Sequence, residues 1–256
     1  MNWKTFYAML QRDGHVARRN LLPMLAQNLL QPLLLTFVFG RVLTSSGMMQ
    51  MGYKSVLLPG IIAISMVLSG VQAVAMPLIA EFQFTREIED RLLAPMDSKW
   101  LAVEKVIAGM IQSMVSGLVV IPAAWLTMGS GLNVTFGHPL EFVAVALLVA
   151  LLAGTGGLLL GCSIGQTQIG LMFSMVIAPM MMFGCAYYPW SALKAFPGLQ
   201  YAVLINPLVY ASEGLRGSLA PQIPHIPLVA VLAALAGMDL FFLVFGLKKF
   251  HSKAVS

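Results

Sequence analysis

Uncharged apolar runs separated by short polar stretches dominate this chain. Residues 20–40, 55–80, 106–140, 142–193 and 217–238 contain no Asp, Glu, Lys or Arg. Each is long enough to cross a bilayer, because about 20 apolar residues rising ~1.5 Å apiece span a hydrocarbon core of roughly 30 Å. The run 142–193 would measure roughly 78 Å as one helix and so has to fold back. Ser163, Gln166, Thr167 and Gln168, with Gly161, Gly165 and Gly170 around them, mark the turn, since these residues weaken a helix. The pattern predicts six membrane spans, near 21–43, 54–76, 100–127, 140–162, 168–190 and 226–247.

Three segments between and before these spans have patterns of their own. Trp3, Phe6, Tyr7 and Leu10 recur at helical spacing with Lys4, Gln11 and Arg12 off the stripe, which predicts an amphipathic helix in the membrane interface over residues 1–20. It serves as an anchor or as a contact for a partner. Residues 191–225 are rich in Pro, Gly and aromatics, too polar for a span and too apolar for a free loop. Short helices dipping into the outer leaflet are expected there, because irregular backbone at that depth must be shielded by protein. Residues 79–99 are the third. On a helix over 81–93, Phe84, Ile88 and Leu92 share one face, while Arg86 with Asp90 and Glu87 with Arg91 are i, i+4 ion pairs. Pro95 ends that helix, and Asp97 or Ser98 caps the next span.

Composition agrees with this membrane reading. The 256 residues are 59% hydrophobic and 10% charged, with mean hydropathy +0.84, whereas about a quarter of a soluble domain is charged. Of the 25 charged residues, ten fall between Glu81 and Lys105. Orientation follows from the cytoplasmic excess of Lys and Arg beside spans. With both termini on one side, that side holds Lys4, Arg12, Arg18, Arg19, Arg86, Arg91, Lys99, Lys105, Lys248, Lys249 and Lys253, eleven of fifteen bases. Both ends and the charged connection are therefore expected in the cytosol. The net charge of +5 is explained by this asymmetry and gives no reason to expect nucleic acid as a partner. Residues 1–19 have no continuous apolar core, so a signal peptide is not expected.

Catalytic chemistry is not signalled. There is no phosphate loop of the G-x-x-x-x-G-K-[ST] type, no H-E-x-x-H and no C-x-x-C, and His15, His138, His225 and His251 are too scattered for one metal site. Cys162 and Cys185 fall inside predicted spans and read as packing. Asp239 is the acid placed well inside a span. It reads either as a carboxyl satisfied by its surroundings or as a proton or cation site. Gln27, Asn28, Gln31, Ser65, Ser69, Gln72, Gln112, Ser113 and Ser116 either bond between helices or line a path. The Gly run 154–161 and the 18 Met read as close packing and gap filling.

Three motifs in order, LLPGIIAISMVLSG (57–70), EFQFTREIEDRLLAPMDSKWLAVEKV (81–106) and NPLVYASEGLRG (206–217), give the chain a family resemblance. It resembles the membrane permease subunit of type-2 ATP-binding-cassette (ABC) exporters, a family that includes drug-resistance, nodulation-factor and polysaccharide export permeases. The resemblance covers nearly the whole chain, 1–256, as a single all-α integral membrane domain of six transmembrane helices. It implies a non-catalytic subunit of the bacterial inner membrane that forms a homo- or heterodimer and pairs with a separate ABC ATPase. ATP and Mg would be bound by that partner, with no cofactor in this chain. It further implies that the connection between spans two and three is a coupling helix docked on the ATPase, the role falling on Glu81, Phe82, Arg86, Glu87, Asp90 and Arg91. The segment before span six would be a re-entrant element near the outer exit, around Asn206, Pro207, Glu213 and Arg216. Cargo would be hydrophobic, lipid-like or glycan-linked. Two other classes compete with this one: an ion-coupled secondary transporter using Asp239, and a membrane scaffold that transports nothing.

Overall fold

Apolar runs of this length leave the backbone no water to bond to, so helix is the expected solution, and helices are what the chain forms. The computed structural model describes residues 11, 30, 32–47, 52–83, 98–128 and 138–255. Among these there is no strand. Helix α1 is Pro32–Ser45, with a π turn at Val38–Val42. It is followed by α2 (Tyr53–Gln83), α3 (Ser98–Met128), α4 (Pro139–Ser163) and α5 (Ile169–Met182, with a π turn at Phe173–Ile177). Short helices come next: a 3-10 turn at Trp190–Ala195, α6 (Pro197–Ala202) and α7 (Pro207–Leu219), before the long α8 (Leu228–Val255). Four helices, α2, α3, α4 and α8, are long and apolar enough to cross a membrane, while α1 and α5 are shorter.

Small residues set how these helices run. Gly70 abuts Ala153, Gly157 abuts Val71 and Val74, and Gly161 abuts Ala75 and Leu78, so α2 and α4 rise together. Gly156 faces Phe242 and Gly246 faces Leu158, which makes α8 parallel to both. Helix α3 runs the other way, with Gly117 against Met66 and Gly109 against Val74. Close approach of this kind maximises dispersion contact where lipid removes the hydrophobic drive between helices. Lys54 adds a link, its Nζ donating to the carbonyl of Met128, the last residue of α3, at 2.7 Å.

The chain returns between α4 and α8. Gly161 lies beside Ala75, but Ala186 lies on Gly60, fifteen residues nearer the start of α2, about 22 Å at the helical rise. Helix α5 covers that distance and stops at Met182, short of the expected 190. A Cβ on Gly60 would fall 1.9 Å from the Ala186 carbonyl oxygen, so here backbone meets backbone. Cys185 takes a left-handed φ of 53° in the same bend, a conformation incompatible with continued helix.

Other boundaries also moved. Helix α2 runs through Gln83, seven residues past the expected 76, because Leu78 and Ile79 stay buried; Glu81 and Phe82 are therefore on its last turn rather than starting a separate helix. Helix α8 extends eight residues past 247. The expected turn near 163–168 is present, and short helices do fill 190–219. The amphipathic stripe Trp3, Phe6, Tyr7 and Leu10 and the paired charges Arg86, Glu87, Asp90 and Arg91 lie outside the described residues.

Candidate functional site

Helix α7 carries a densely bonded pair of buried charges. Asn206 caps it: the Asn206 Oδ1 accepts from Leu208 N at 2.9 Å, and Pro207 occupies the first helical position with its fixed φ. Asn206 Nδ2 in turn donates to the Met180 carbonyl at 2.7 Å, joining α7 to α5. Seven and ten residues on from Asn206 stand Glu213 and Arg216, both with 0% exposure, paired to each other across one turn. Burying two charges is costly unless every remaining donor and acceptor finds a partner.

Here most of the partners are backbone groups of other segments, while Arg216 Nε has none among the described residues. Glu213 Oε1 accepts from Trp190 N at 2.9 Å, and its Oε2 accepts from Ile226 N at 3.1 Å. One carboxylate thus holds both the start of the short-helix segment and the approach to α8. The Arg216 guanidinium donates to the carbonyls of Cys185 at 2.8 Å, Val56 at 3.3 Å and Ala186 at 3.4 Å. The left-handed turn at Cys185 presents that carbonyl. Arginine suits the position because its planar fork reaches several acceptors while staying charged. The resulting clasp ties α2, the bend after α5, α7 and the entrance to α8 at one end of the bundle. Trp190 is fixed further by Nε1 donating to the Gln200 carbonyl at 2.9 Å.

Beside the clasp lies a cavity of about 560 Å³ between α2, α4, α5, α8 and the short helices. Val71, Leu152, Ile177, Met180, Val203 and Phe242 are among its lining residues, and Asn206 stands in its wall with both polar ends already bonded. Such a wall offers mainly apolar contact.

At the opposite end, where α2 finishes and α3 begins, Lys105 Nζ donates to Glu81 Oε1 at 2.9 Å, and both side chains are buried. Phe82 meets the ring of Phe250 edge-on, centroids 5.7 Å apart, and Lys253 Nζ lies 4.9 Å from the Phe82 ring centre. Asp239 is elsewhere, within α8 at 3% exposure; among the described residues neither of its carboxylate oxygens has a hydrogen-bond partner.

Of the residues singled out in the sequence, Asn206, Pro207, Glu213 and Arg216 thus share α7, Asn206 and Pro207 starting it and Glu213 with Arg216 forming the clasp, while Glu81 and Phe82 sit at the far end of the bundle and Asp239 joins neither. Lys105, Phe250 and Lys253 belong to the second site and were not singled out. The signal for Phe250 was present, since Leu247, Phe250 and Ala254 repeat at helical spacing past the predicted end of span six. Some polar groups within helices bond between or along them: Ser116 Oγ donates to the Ser65 carbonyl at 3.2 Å and Ser65 Oγ to the Ile61 carbonyl at 2.8 Å. No group of three or more His, Cys, Asp or Glu fit to hold a metal occurs among the described residues.

Long apolar helices packed through glycine, with two buried ion pairs, mark an integral membrane protein. The sequence model of the ABC-2 type transporter family matches residues 4–220, from before α1 to the end of α7, and the chain belongs to that family. It is therefore a membrane component of an ABC transporter, a permease of a kind that normally works with an ATPase partner. No curated protein matched the chain.

Proposed function

We propose that this chain is the permease subunit of an ATP-driven exporter, crossing the bacterial inner membrane six times with both termini in the cytosol. The observation that carries the reading is the family match joined to the charge-rich connection between α2 and α3, whose base is held by the Glu81–Lys105 pair. The alternating direction of α2, α3 and α4, with α5 returning the chain before α8, supports six crossings, α1 and α5 being the shorter two. In this reading residues 84–97 include the coupling helix, with Arg86, Glu87, Asp90 and Arg91 facing the ATPase and Glu81 and Phe82 at its root. The clasp on α7 belongs to a re-entrant element at the outer end.

Two permease copies, identical or related, would form the path. ATP closes the paired ATPase subunits, the docked connections move with them, and the seam between permeases opens outward; hydrolysis resets it. The ATPase drives this change only as far as it binds the two permease states with different affinity. A hydrophobic, lipid-like or glycan-linked cargo suits the apolar cavity. The test pairs Glu87→Lys with Arg91→Glu. Membrane insertion should be unchanged while co-purification of the ATPase falls, and unchanged co-purification and hydrolysis would sink the coupling role.

A second reading rests on Asp239, whose buried carboxyl has no partner among the described residues. If it carries a coupling ion, transport survives loss of any ATPase and fails in Asp239→Asn. Dependence on the ATPase together with an active Asp239→Asn variant would dispose of that alternative.

A further inference from the structure

Helix α8 is the least buried of the four long helices: 17% of its most apolar stretch is covered, against 72% for α2. Its deepest large side chain is nevertheless close to its far end. Phe250 has 0% exposure and sits in a small separate core with Leu78 of α2, Leu101 of α3 and Leu158 of α4. A helix that only crossed lipid would have no reason to bury an aromatic ring beyond Lys248 and Lys249, where charged residues normally mark the end of a span.

What Phe250 and Lys253 touch is specific. Phe82, one residue from the end of α2, has Phe250 against its edge at 5.7 Å and the Lys253 ammonium 4.9 Å from its ring centre. Glu81, about 100° away around the helix, is held by Lys105 of α3 at 2.9 Å. The last turn of α2 is therefore gripped from two directions, by an ion pair to α3 and by an aromatic and cationic contact to α8. Residues 84–97 leave from that turn.

We propose that the terminal turns of α8, through the positioning residues Phe250 and Lys253, set the angle at which the α2–α3 connection is presented, so that movement of the connection is passed directly to α8. The inference rests on the coupling role proposed for that connection. It adds a second lever: force entering at the connection reaches α3 through Lys105 and α8 through Phe82. Glu81 and Phe82 then anchor the connection to the bundle on two different faces of α2, whatever contacts the charged residues farther along it make.

The full chain in complex with its ATPase, reconstituted in lipid, tests this with Lys253→Gln, Lys253→Arg and Phe250→Leu beside the Glu87→Lys, Arg91→Glu double variant. Lys253→Gln should lower ATP hydrolysis per retained ATPase about threefold, the scale of one cation–π contact, with Tm and membrane yield unchanged; Lys253→Arg, which keeps the cation, should restore it. Phe250→Leu should lower hydrolysis by at least as much. Wild-type hydrolysis in Lys253→Gln, or equal loss in the Gln and Arg variants, overturns the clamp. If the double variant retains its ATPase normally, the coupling reading itself fails; if the double variant loses ATPase while Lys253→Gln hydrolyses normally, the clamp alone fails.

Discussion

The two buried ion pairs at opposite ends of the bundle are built on different plans. Glu213 and Arg216 lie one turn apart on the same helix, so their mutual attraction holds no two elements together. What crosses between elements is the bonding of the pair to backbone: two N–H groups on the carboxylate and three carbonyls on the guanidinium. Glu81 and Lys105 are 24 residues apart on different helices, and there the ion pair is itself the link. The charges of the first pair neutralise each other locally so that they can bind irregular backbone in a medium without water. The charges of the second clasp two helix ends near the polar boundary, where water can stand in for a lost partner. The difference suggests a rigid end around α7 and a yielding end around the connection.

Arg216→Met should show the largest effect. It leaves Glu213 buried without its countercharge and removes the donor from the carbonyls of Cys185, Val56 and Ala186. Breaking a buried pair in this way costs about 3–5 kcal/mol. The expected result is loss of monodisperse protein after solubilisation, or a Tm too low to measure; a yield and Tm like those of the unaltered chain would remove the distinction drawn here. Replacing both members, Glu213→Leu with Arg216→Met, should rescue little. At most sites hydrophobic replacement of a whole pair is close to neutral, but here Trp190 N, Ile226 N and the carbonyls of Cys185 and Ala186, which lie outside any helix, lose the partner that the pair supplied, each costing about 1–3 kcal/mol.

Gly60→Ala tests the same end through sterics. Its Cβ would meet the Ala186 carbonyl oxygen at 1.9 Å, backbone that cannot swing aside as a side chain would. Overpacking of this kind costs about 1–3 kcal/mol, and the drop in Tm should exceed that of Gly237→Ala, where an added Cβ meets open space. Equal shifts would show that the bend at 183–189 is not tightly held against α2.

These expectations also mark where the sequence stopped being readable. Hydropathy located α2, α3, α4 and α8, because uncharged length is what a membrane span requires, but it missed the seven and eight residues by which α2 and α8 outrun their predicted ends. It placed the turn after Ser163, where Gly and Gln cluster, and the density of Pro and Gly after Trp190 signalled short helices. Asn206 and Pro207 stand out in the sequence only through the family resemblance, not as the helix start that they form. The end of α5 was invisible: residues 142–193 carry no charge at all, and the helix breaks because Ala186 rests on Gly60, a contact 126 residues apart in the chain. The partners of Glu213 and Arg216 could not be read either, since they are main-chain groups that every residue possesses. Glu81 and Lys105 were legible as charges beside spans but not as a pair, because pairing depends on the antiparallel register of α2 and α3.

The smallest effects belong to the second pair, and they sharpen the contrast most. Lys105→Met removes the ammonium bonded to Glu81, which has 6% exposure against 0% for Glu213; on the last turn of α2 it can turn toward water, so the cost should fall to about 1–2 kcal/mol, below the range for a fully buried pair. Adding Glu81→Leu should return most of that loss, leaving the double variant within about 1 kcal/mol of the unaltered chain, because two helix ends can meet through apolar side chains. A double-mutant cycle on Tm separates the two plans: strong recovery at residues 81 and 105, little at 213 and 216. If the double variant at 81 and 105 stays as unstable as Lys105→Met alone, that pair also holds groups beyond itself, and the finishing end of the bundle is as rigid as the clasp.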